Sequence, residues 1–236
     1  MKPIKLALAV AAMVLAPVAS AQSGGGNWNL TVDEDQVSHR IGNPNAKVKL
    51  TEYVSYTCST CALFAKQGDP VLEIAYVGSG QVQLEIRQFI RNPIDLAISL
   101  MTHCGAPQKF KQNHAAFMLS QNMWIAPLNR PTQSQVTRWT QPGAASRRNI
   151  ANDFGFYNIM RQRGYRITDV DKCLNDETKA QAFAAATQAD AQRLQIEGTP
   201  TFAINGRKVD VAPAWSALQP ELDKALASKE SSQNGL

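Results

Sequence analysis

Two cysteines separated by two residues, Cys58 and Cys61, are the residues of this sequence best suited to chemistry. They follow an extended apolar segment, 48–53, and precede a stretch of helical character that begins near Ala62. Thiols at this spacing can close a disulfide with each other and pass it to another protein by exchange. Unpaired N–H groups and the positive end of a helix dipole stabilise a thiolate at a helix start, so Cys58 is predicted to be the nucleophile. Cys61 lies nearly one turn deeper and is predicted to resolve the mixed disulfide.

Two other interpretations of this pair follow from the same spacing. One is a static structural disulfide, which rarely spans two residues at a helix start, and the other is half of a tetrahedral zinc site. A second pair of ligands is missing, because His103 only adjoins Cys104 and sequence neighbours rarely ligate one structural metal. His39 and His114 are isolated in the sequence. We therefore expect no metal, and no phosphate loop, nucleotide motif or serine-type triad indicates a cofactor.

The remaining two cysteines are widely spaced. Four cysteines permit three pairings, and a bond within the close pair leaves Cys104 and Cys173 for each other. Their wide spacing argues against a second shuttle site. A structural bridge is the expectation, and buried free thiols or a second redox pair are the alternatives.

The elements that must position the close pair follow from hydrophobic patterning. Residues 48–54 predict a first strand, the segment from Cys58 a helix, and residues 82–90 a second strand. Strand, helix and strand at this spacing indicate a parallel, right-handed βαβ unit. Helix-like patterning follows in the segments 93–119, 136–163 and 176–194. The sequence then predicts a strand, a partner strand after an Asn-Gly hairpin turn, and a closing helix, at 201–204, 208–211 and 213–227.

Both ends of the chain differ in composition from its body. A charged start, a short apolar run and a small-residue pattern ending at Ala21 predict a cleaved secretory signal at 1–21, with an uncleaved anchor as the alternative. Residues 22–40 are expected to form a flexible leader, and residues 228–236 a disordered tail. Cleavage removes two lysines, so the formal net charge falls from +5 to about +3. That weak, scattered charge indicates no nucleic-acid partner.

Two motifs, separated by a helical block, make the sequence similar to the DsbA family of exported thiol–disulfide oxidoreductases. They are EYVSYTCSTC at 52–61 and GTPTFAING at 198–206, and the match covers roughly residues 40–227. The resemblance implies an α/β, thioredoxin-like fold of order βαβ…ββα that is interrupted by an inserted helical domain. The implied limits are 41–92 for the first part, 93–195 for the helical insertion and 196–227 for the second part.

The resemblance also implies roles for residues outside the close pair. Pro200 resembles the cis-proline that faces the active-site disulfide in thioredoxin-like enzymes, and Thr199 would pair its backbone with an extended substrate. Glu52 corresponds to the acidic residue beneath the site that relays protons for the resolving cysteine. An ordinary trans turn and a surface acid are the alternatives for these positions. Cys104 and Cys173 lie close to where relatives carry a second pair, which we interpret as structural.

The implied function is a periplasmic enzyme that introduces disulfides into cysteine-containing exported proteins and is reoxidised by a membrane quinone reductase of the DsbB kind. Ser59-Thr60 brings no positive charge, so we expect a weaker oxidant than family members with a histidine between the cysteines. Thr199 is similar to several isomerase-type relatives, which makes an isomerase or reductase kept reduced by a membrane donor the alternative. A non-enzymatic chaperone or binding module is a further alternative. The leader shows no heptads, which favours a monomer.

Overall fold

The computed structural model describes residues 27–233, with side chains through residue 228. The predicted signal peptide, 1–21, lies outside the described residues, as do residues 22–26 of the predicted leader and 234–236 of the predicted tail. Within residues 27–233, no helix is both long and apolar enough to cross a membrane.

A six-stranded mixed sheet forms the centre of the described part of the chain. Its strands are β1 (Val32–Glu34), β2 (Ser38–Ile41), β3 (Val48–Val54), β4 (Val82–Gln88), β5 (Thr201–Ile204) and β6 (Arg207–Val209). Their order across the sheet is β1-β2-β4-β3-β5-β6. β3 and β4 run parallel, and the other neighbouring pairs are antiparallel.

Helices make up most of the rest of the described chain. They are α1 (Ser59–Gln67), α2 (Asp69–Val71), α3 (Pro93–Thr102), α4 (Phe110–Leu119), α5 (Gln121–Trp124), α6 (Ala126–Asn129), α7 (Gln133–Thr140), α8 (Ala144–Asp153), α9 (Phe156–Gln162), α10 (Ile167–Leu174), α11 (Glu177–Leu194) and α12 (Trp215–Gln233). A π-helical segment, Leu72–Val77, continues α2, and 3-10 turns occupy Trp28–Leu30 and Pro107–Lys109. Because α3 to α11 lie between β4 and β5, a helical block is inserted into the chain that forms the sheet.

β3 ends at Val54, four residues before Cys58, and it is buried on both faces at the centre of the sheet. Leu50 and Val54 lie on one face of the strand and are at most 1% exposed. The opposite face is also buried, at Thr51 and Tyr53. Burial of both faces is typical of the parallel strands of an α/β sheet. Since side chains alternate along a strand, Glu52 lies on the same face as Leu50 and Val54.

The prediction of a flexible leader at 22–40 is wrong for its described part. The chain from Trp28 onward forms a 3-10 turn and the strands β1 and β2, and β2 pairs antiparallel with β4. His39 and Ile41 on β2 are each 1% exposed. Without β2, β4 would present a free strand edge, which folded proteins avoid. The glycines that suggested flexibility, at 24–26, lie outside the described residues.

The C-terminal helix is also longer than the sequence predicts. The expected helix ends at residue 227 and a disordered tail follows, whereas α12 continues to Gln233. The prediction of disorder is therefore wrong for residues 228–233. No glycine or proline lies between Pro220 and Gly235, so nothing in this stretch interrupts helical hydrogen bonding.

Candidate active site

The two close cysteines meet at the start of α1. Cys58 is the N-cap of the helix, in an extended backbone conformation, and its Sγ accepts a hydrogen bond from the N–H of Cys61 at 3.4 Å. Cys58 is 7% exposed, whereas Cys61 is 0% exposed. Both are free thiols in this structure. The outer sulfur thus lies where unpaired helix N–H groups favour an anion.

The two thiols differ in acidity. A hydrogen bond from the Cys61 thiol is the main cause that lowers the pKa of Cys58 from 9.0 to about 5, against the opposing effect of burial. The Thr199 hydroxyl, the backbone N–H of Cys61 and the charge of Arg91 lower it further. Burial raises the pKa of Cys61 well above its ordinary value. Cys58 can therefore serve as thiolate nucleophile or leaving group, while Cys61 keeps its proton.

The loop before β5 lies against the cysteine pair. The peptide bond between Thr199 and Pro200 is cis, and Pro200 is buried. The carbonyl oxygen of Thr199 accepts a hydrogen bond from the Cys58 thiol at 3.0 Å, while the Thr199 hydroxyl oxygen is buried without a partner. Once ionised, the sulfur can only accept, and the hydroxyl is then the donor beside it. The fold thus brings Thr199 and Pro200 to Cys58 and Cys61.

Glu52 lies beneath α1. It is 2% exposed, and its Oε2 has no hydrogen-bond partner. Burial raises the pKa of Glu52 well above 4.5, and the carboxyl of Asp69 raises it further. Across the sheet Glu52 is paired with Phe202, whose ring centroid is 4.8 Å from that of Phe64 in α1. In the described part of the chain no hydrogen bond joins Glu52 to Cys61, so it lies under the site without direct contact of that kind.

Sequence reasoning missed the residue that holds the turn before Cys58. Asp95, in the first turn of α3, is 0% exposed. Its Oδ1 accepts hydrogen bonds from the Thr57 N–H at 2.8 Å and from the Ser55 hydroxyl at 2.9 Å. An Asn-Pro helix-start signal at 92–93 marks the beginning of α3. That signal does not reveal that the helix begins against the cysteine turn.

Two further side chains outside the motifs act on this turn. Gln121, at the start of α5 and 6% exposed, donates from Nε2 to the carbonyl oxygens of Tyr56 and Cys58 at 2.6 and 2.9 Å. Arg91 donates from Nη2 to the Thr57 hydroxyl at 3.2 Å. Its guanidinium places a positive charge near Cys58, whereas the dipeptide Ser59-Thr60 between the cysteines carries no charge. No local spacing connects either residue with Cys58, so no sequence pattern indicates them.

The two distant cysteines form a disulfide of their own. The sulfur atoms of Cys104 and Cys173 are 2.04 Å apart. The bond joins the chain just after α3 to α10, so both ends lie in the helical insertion. It closes a loop of 69 residues. This crosslink leaves Cys58 and Cys61 as the two free thiols.

The three histidines of the chain are all buried. Nδ1 of His114 is 2.9 Å from the Tyr56 hydroxyl. The rings of His39 and His103 have centroids 4.3 Å apart, and with Glu34 they form a cluster whose donor atoms lie within 4.8 Å of one another. His39 is therefore isolated in the sequence but not in the fold. Only the packing of β2 against the end of α3 brings these residues together.

Comparison with known proteins shows a family and solved structures to which this chain is similar. A family model described as Thioredoxin matches residues 34–224. The solved structure of a protein-disulfide isomerase from Novosphingobium aromaticivorans is 39% identical, with a TM-score of 0.77, over 80% of this chain and 97% of that one. The structure of Wolbachia pipientis α-DsbA1 is 18% identical, with a TM-score of 0.67, over 82% of this chain and 93% of that one. At that identity the Wolbachia structure shows the fold alone.

A further relative is similar to this chain in sequence. A protein-disulfide oxidoreductase of Rickettsia conorii is 26% identical over 204 residues, which are 86% of this chain and 64% of the relative. The chain thus spans less than two thirds of that relative's length. Together with the order of strands and helices, these likenesses confirm the predicted α/β, thioredoxin-like fold with a helical insertion.

Proposed function

The chain belongs to the thioredoxin family, and we propose that it is a protein-disulfide oxidoreductase of the DsbA kind. The observation that carries this proposal is the acidic Cys58 thiol at the start of α1, bonded to the Cys61 N–H and to the Thr199 carbonyl. A thiolate in this position can attack a disulfide or be released from one. The name of the Novosphingobium relative, protein-disulfide isomerase, supports the same chemistry.

In the oxidising direction, a thiolate of the substrate protein attacks the sulfur of Cys58 in the Cys58–Cys61 disulfide. The substrate–Cys58 bond forms as the bond to Cys61 breaks, and Cys61, whose pKa is high, takes up a proton. A second substrate thiolate attacks the substrate sulfur of this mixed disulfide, and Cys58 leaves as a stable thiolate. The substrate loses two electrons and gains a disulfide, and the enzyme becomes a dithiol.

Glu52 and the loop before β5 would serve this exchange in different ways. Burial favours the protonated form of Glu52, so once its carboxyl comes within hydrogen-bonding distance of Cys61 it can give a proton to the departing thiolate and take one back in the reverse step. The backbone beside Pro200 offers an edge on which an extended substrate segment can pair.

We further propose that the protein donates disulfides in the periplasm. A stabilised Cys58 thiolate favours the reduced enzyme, which is the property of an oxidant. The pattern at 1–21 supports export, and mass spectrometry of the exported protein, expected to begin at Gln22, tests it. An exported oxidant needs a reoxidant, for which we propose a membrane quinone reductase of the DsbB kind. We propose that the enzyme acts as a monomer.

A disulfide isomerase or reductase is the second candidate. It is favoured by the name of the relative at 39% identity and by the threonine before the cis-proline, Thr199. In this function the pair would be kept reduced by a membrane donor, and Cys58 would attack a wrong disulfide in the substrate. A binding module without turnover would instead keep its affinity for peptides and lack exchange activity.

The deciding experiment is the redox equilibrium of Cys58–Cys61 against glutathione, with the distant disulfide left intact. A potential well above that of the glutathione couple supports disulfide donation. A potential near that of thioredoxin contradicts the oxidising direction and favours the isomerase or reductase. If a Cys58→Ser variant still turned over a reduced substrate protein, the assignment of the site would be wrong.

A further inference from the structure

A cluster of three potential metal ligands lies outside the cysteine site, where the β1–β2 hairpin meets the end of α3. Glu34 and His39 are opposite each other in the antiparallel β1–β2 pair, and His103 caps the C-terminus of α3. The donor atoms that these residues offer lie within 4.8 Å of one another. The hairpin and the end of α3, which are distant in the sequence, therefore bring their potential metal ligands close together.

Three polar atoms of this cluster are buried without hydrogen-bond partners. His39 is 1% exposed and His103 is 6% exposed. Nδ1 of each ring has no hydrogen-bond partner, and neither has Oε2 of Glu34, although that oxygen lies 2.9 Å from Nε2 of His39. Buried polar groups are normally satisfied, so several unsatisfied ones at one point need an explanation. A cation held by Nε2 of His39, Oε2 of Glu34 and Nδ1 of His103 would satisfy the carboxylate oxygen and the His103 nitrogen, while Nδ1 of His39 would keep its proton.

The packing around the cluster holds both imidazoles in place. His39 stacks on Phe110 with ring centroids 3.8 Å apart, and His103 meets Phe110 and Phe183 edge-on. The side-chain nitrogen of Gln88 lies 3.4 Å from Nε2 of His103, and Oε1 of Gln88 has no partner. With the amide turned so that Oε1 faces the ring, Gln88 accepts from Nε2–H and leaves the Nδ1 lone pair of His103 for a metal.

We propose that Glu34, His39 and His103 bind one divalent transition-metal ion, of which zinc is the first candidate. Two nitrogens and one carboxylate oxygen suit zinc, copper or nickel rather than magnesium or calcium. Ligand atoms of a tetrahedral zinc ion, each about 2.0–2.1 Å from the metal, lie about 3.3 Å apart. The separation of 2.9 Å between Oε2 of Glu34 and Nε2 of His39 is close to that value. The widest separation, at most 4.8 Å, would have to close by at most about 1.5 Å. The Glu34 side chain is 32% exposed, which gives the ion a route from solvent.

The ion would fasten the N-terminal hairpin to the helical insertion. His103 adjoins Cys104, so the metal and the Cys104–Cys173 disulfide would secure the same end of α3. This role is structural and goes beyond the proposed disulfide exchange, because none of the exchange residues takes part.

Zinc uptake by the oxidised protein, measured by competition with a chromophoric chelator, tests the proposal. Oxidation of Cys58 and Cys61 removes the dithiol, which would itself bind zinc. We expect one equivalent per chain. Affinity should fall about tenfold or more in Glu34→Gln and in His103→Gln, and should not change in the matched control His114→Gln, which alters the other buried histidine.

Glu34→Gln keeps the test decisive where a histidine variant fails to fold. The Glu34 side chain is partly exposed, so its replacement leaves the core intact, and circular dichroism verifies folding. Zinc should raise the Tm of the oxidised wild-type protein, and the same zinc concentration should raise that of Glu34→Gln by less. Cobalt in place of zinc should show ligand-field bands without sulfur-to-cobalt charge transfer. Absent uptake by the oxidised protein, unchanged uptake by Glu34→Gln, or uptake confined to the reduced protein would each overturn the proposal.

Discussion

Replacing Thr199 by valine should raise the pKa of Cys58 and make the pair a weaker oxidant. The Thr199 hydroxyl has no partner in the thiol form of the site and lowers the pKa of Cys58. The carbonyl of the same residue, 3.0 Å from the sulfur, favours the thiol instead. Valine keeps the carbonyl and the shape of the side chain but removes the donor, so only the stabilisation of the thiolate is lost.

The size of the effect follows from the strength of a hydrogen bond to a charged group. Such a bond contributes about 1.5–3 kcal/mol, and each pKa unit corresponds to about 1.4 kcal/mol. The pKa of Cys58, about 5 in the wild type, should therefore rise by about 1–2 units. At pH 7 the reduced enzyme then loses about 1–2 kcal/mol of thiolate stabilisation, which lowers the redox potential by about 30–50 mV.

Two measurements check this prediction. The ultraviolet absorbance of the thiolate against pH gives the pKa of Cys58 in the reduced protein, and the glutathione equilibrium gives the potential. Thr199→Ser is the matched control, because it keeps the hydroxyl and should stay close to the wild type in both measurements. The reasoning fails if Thr199→Val leaves the pKa unchanged, or if serine shifts it as far as valine does.

Three further predictions concern stability and proton transfer. Replacing both Cys104 and Cys173 by serine should lower the unfolding free energy in urea by up to about 4 kcal/mol, the chain-entropy value for a 69-residue loop, and should leave the potential of the close pair unchanged. Glu52→Gln should slow the attack of Cys61 on a mixed disulfide in rapid-mixing experiments without unfolding the protein, and an unchanged rate would exclude the relay. Burial raises the pKa of Asp69 from 3.8 to about 7, so its contribution to stability is complete below pH 3.8 and is lost as the pH rises toward 7. Asp69→Asn should therefore lose less stability over that range in urea unfolding, and equal slopes for the two proteins would contradict the shift.

The exchange pair and its strands could be predicted because they depend on near neighbours in the chain. Cys58 and Cys61 lie within one helical turn, and the alternation in β3 and β4 is visible in short windows. The hairpin signal of Asn205-Gly206 is equally local, and these two residues form the turn between β5 and β6. Local steric and hydrogen-bonding preferences act over the same short distance as such patterns, which is why the patterns identify these elements.

The N-terminal strands and the residues around the cysteine turn could not be predicted in this way. β1 and β2 are short, and their burial depends on a place beside β4 that no local pattern marks. Asp95 and Gln121 are 38 and 63 residues distant in sequence from the turn residues that they bind, Thr57 and Cys58. Both are polar residues in helices, and only the fold places their side chains against the turn.

The sequence by itself determined which chemistry is available, because two thiols at one helix start can exchange a disulfide whatever surrounds them. Only the tertiary structure decided how acidic Cys58 is. Its sulfur meets Thr199, 141 positions along the chain, and feels the charge of Arg91. In the same way, only the fold brings His39 to His103. The physical reason is that hydrogen bonds, charges and burial act through a few ångströms of space, whereas a sequence pattern records only neighbours along the chain.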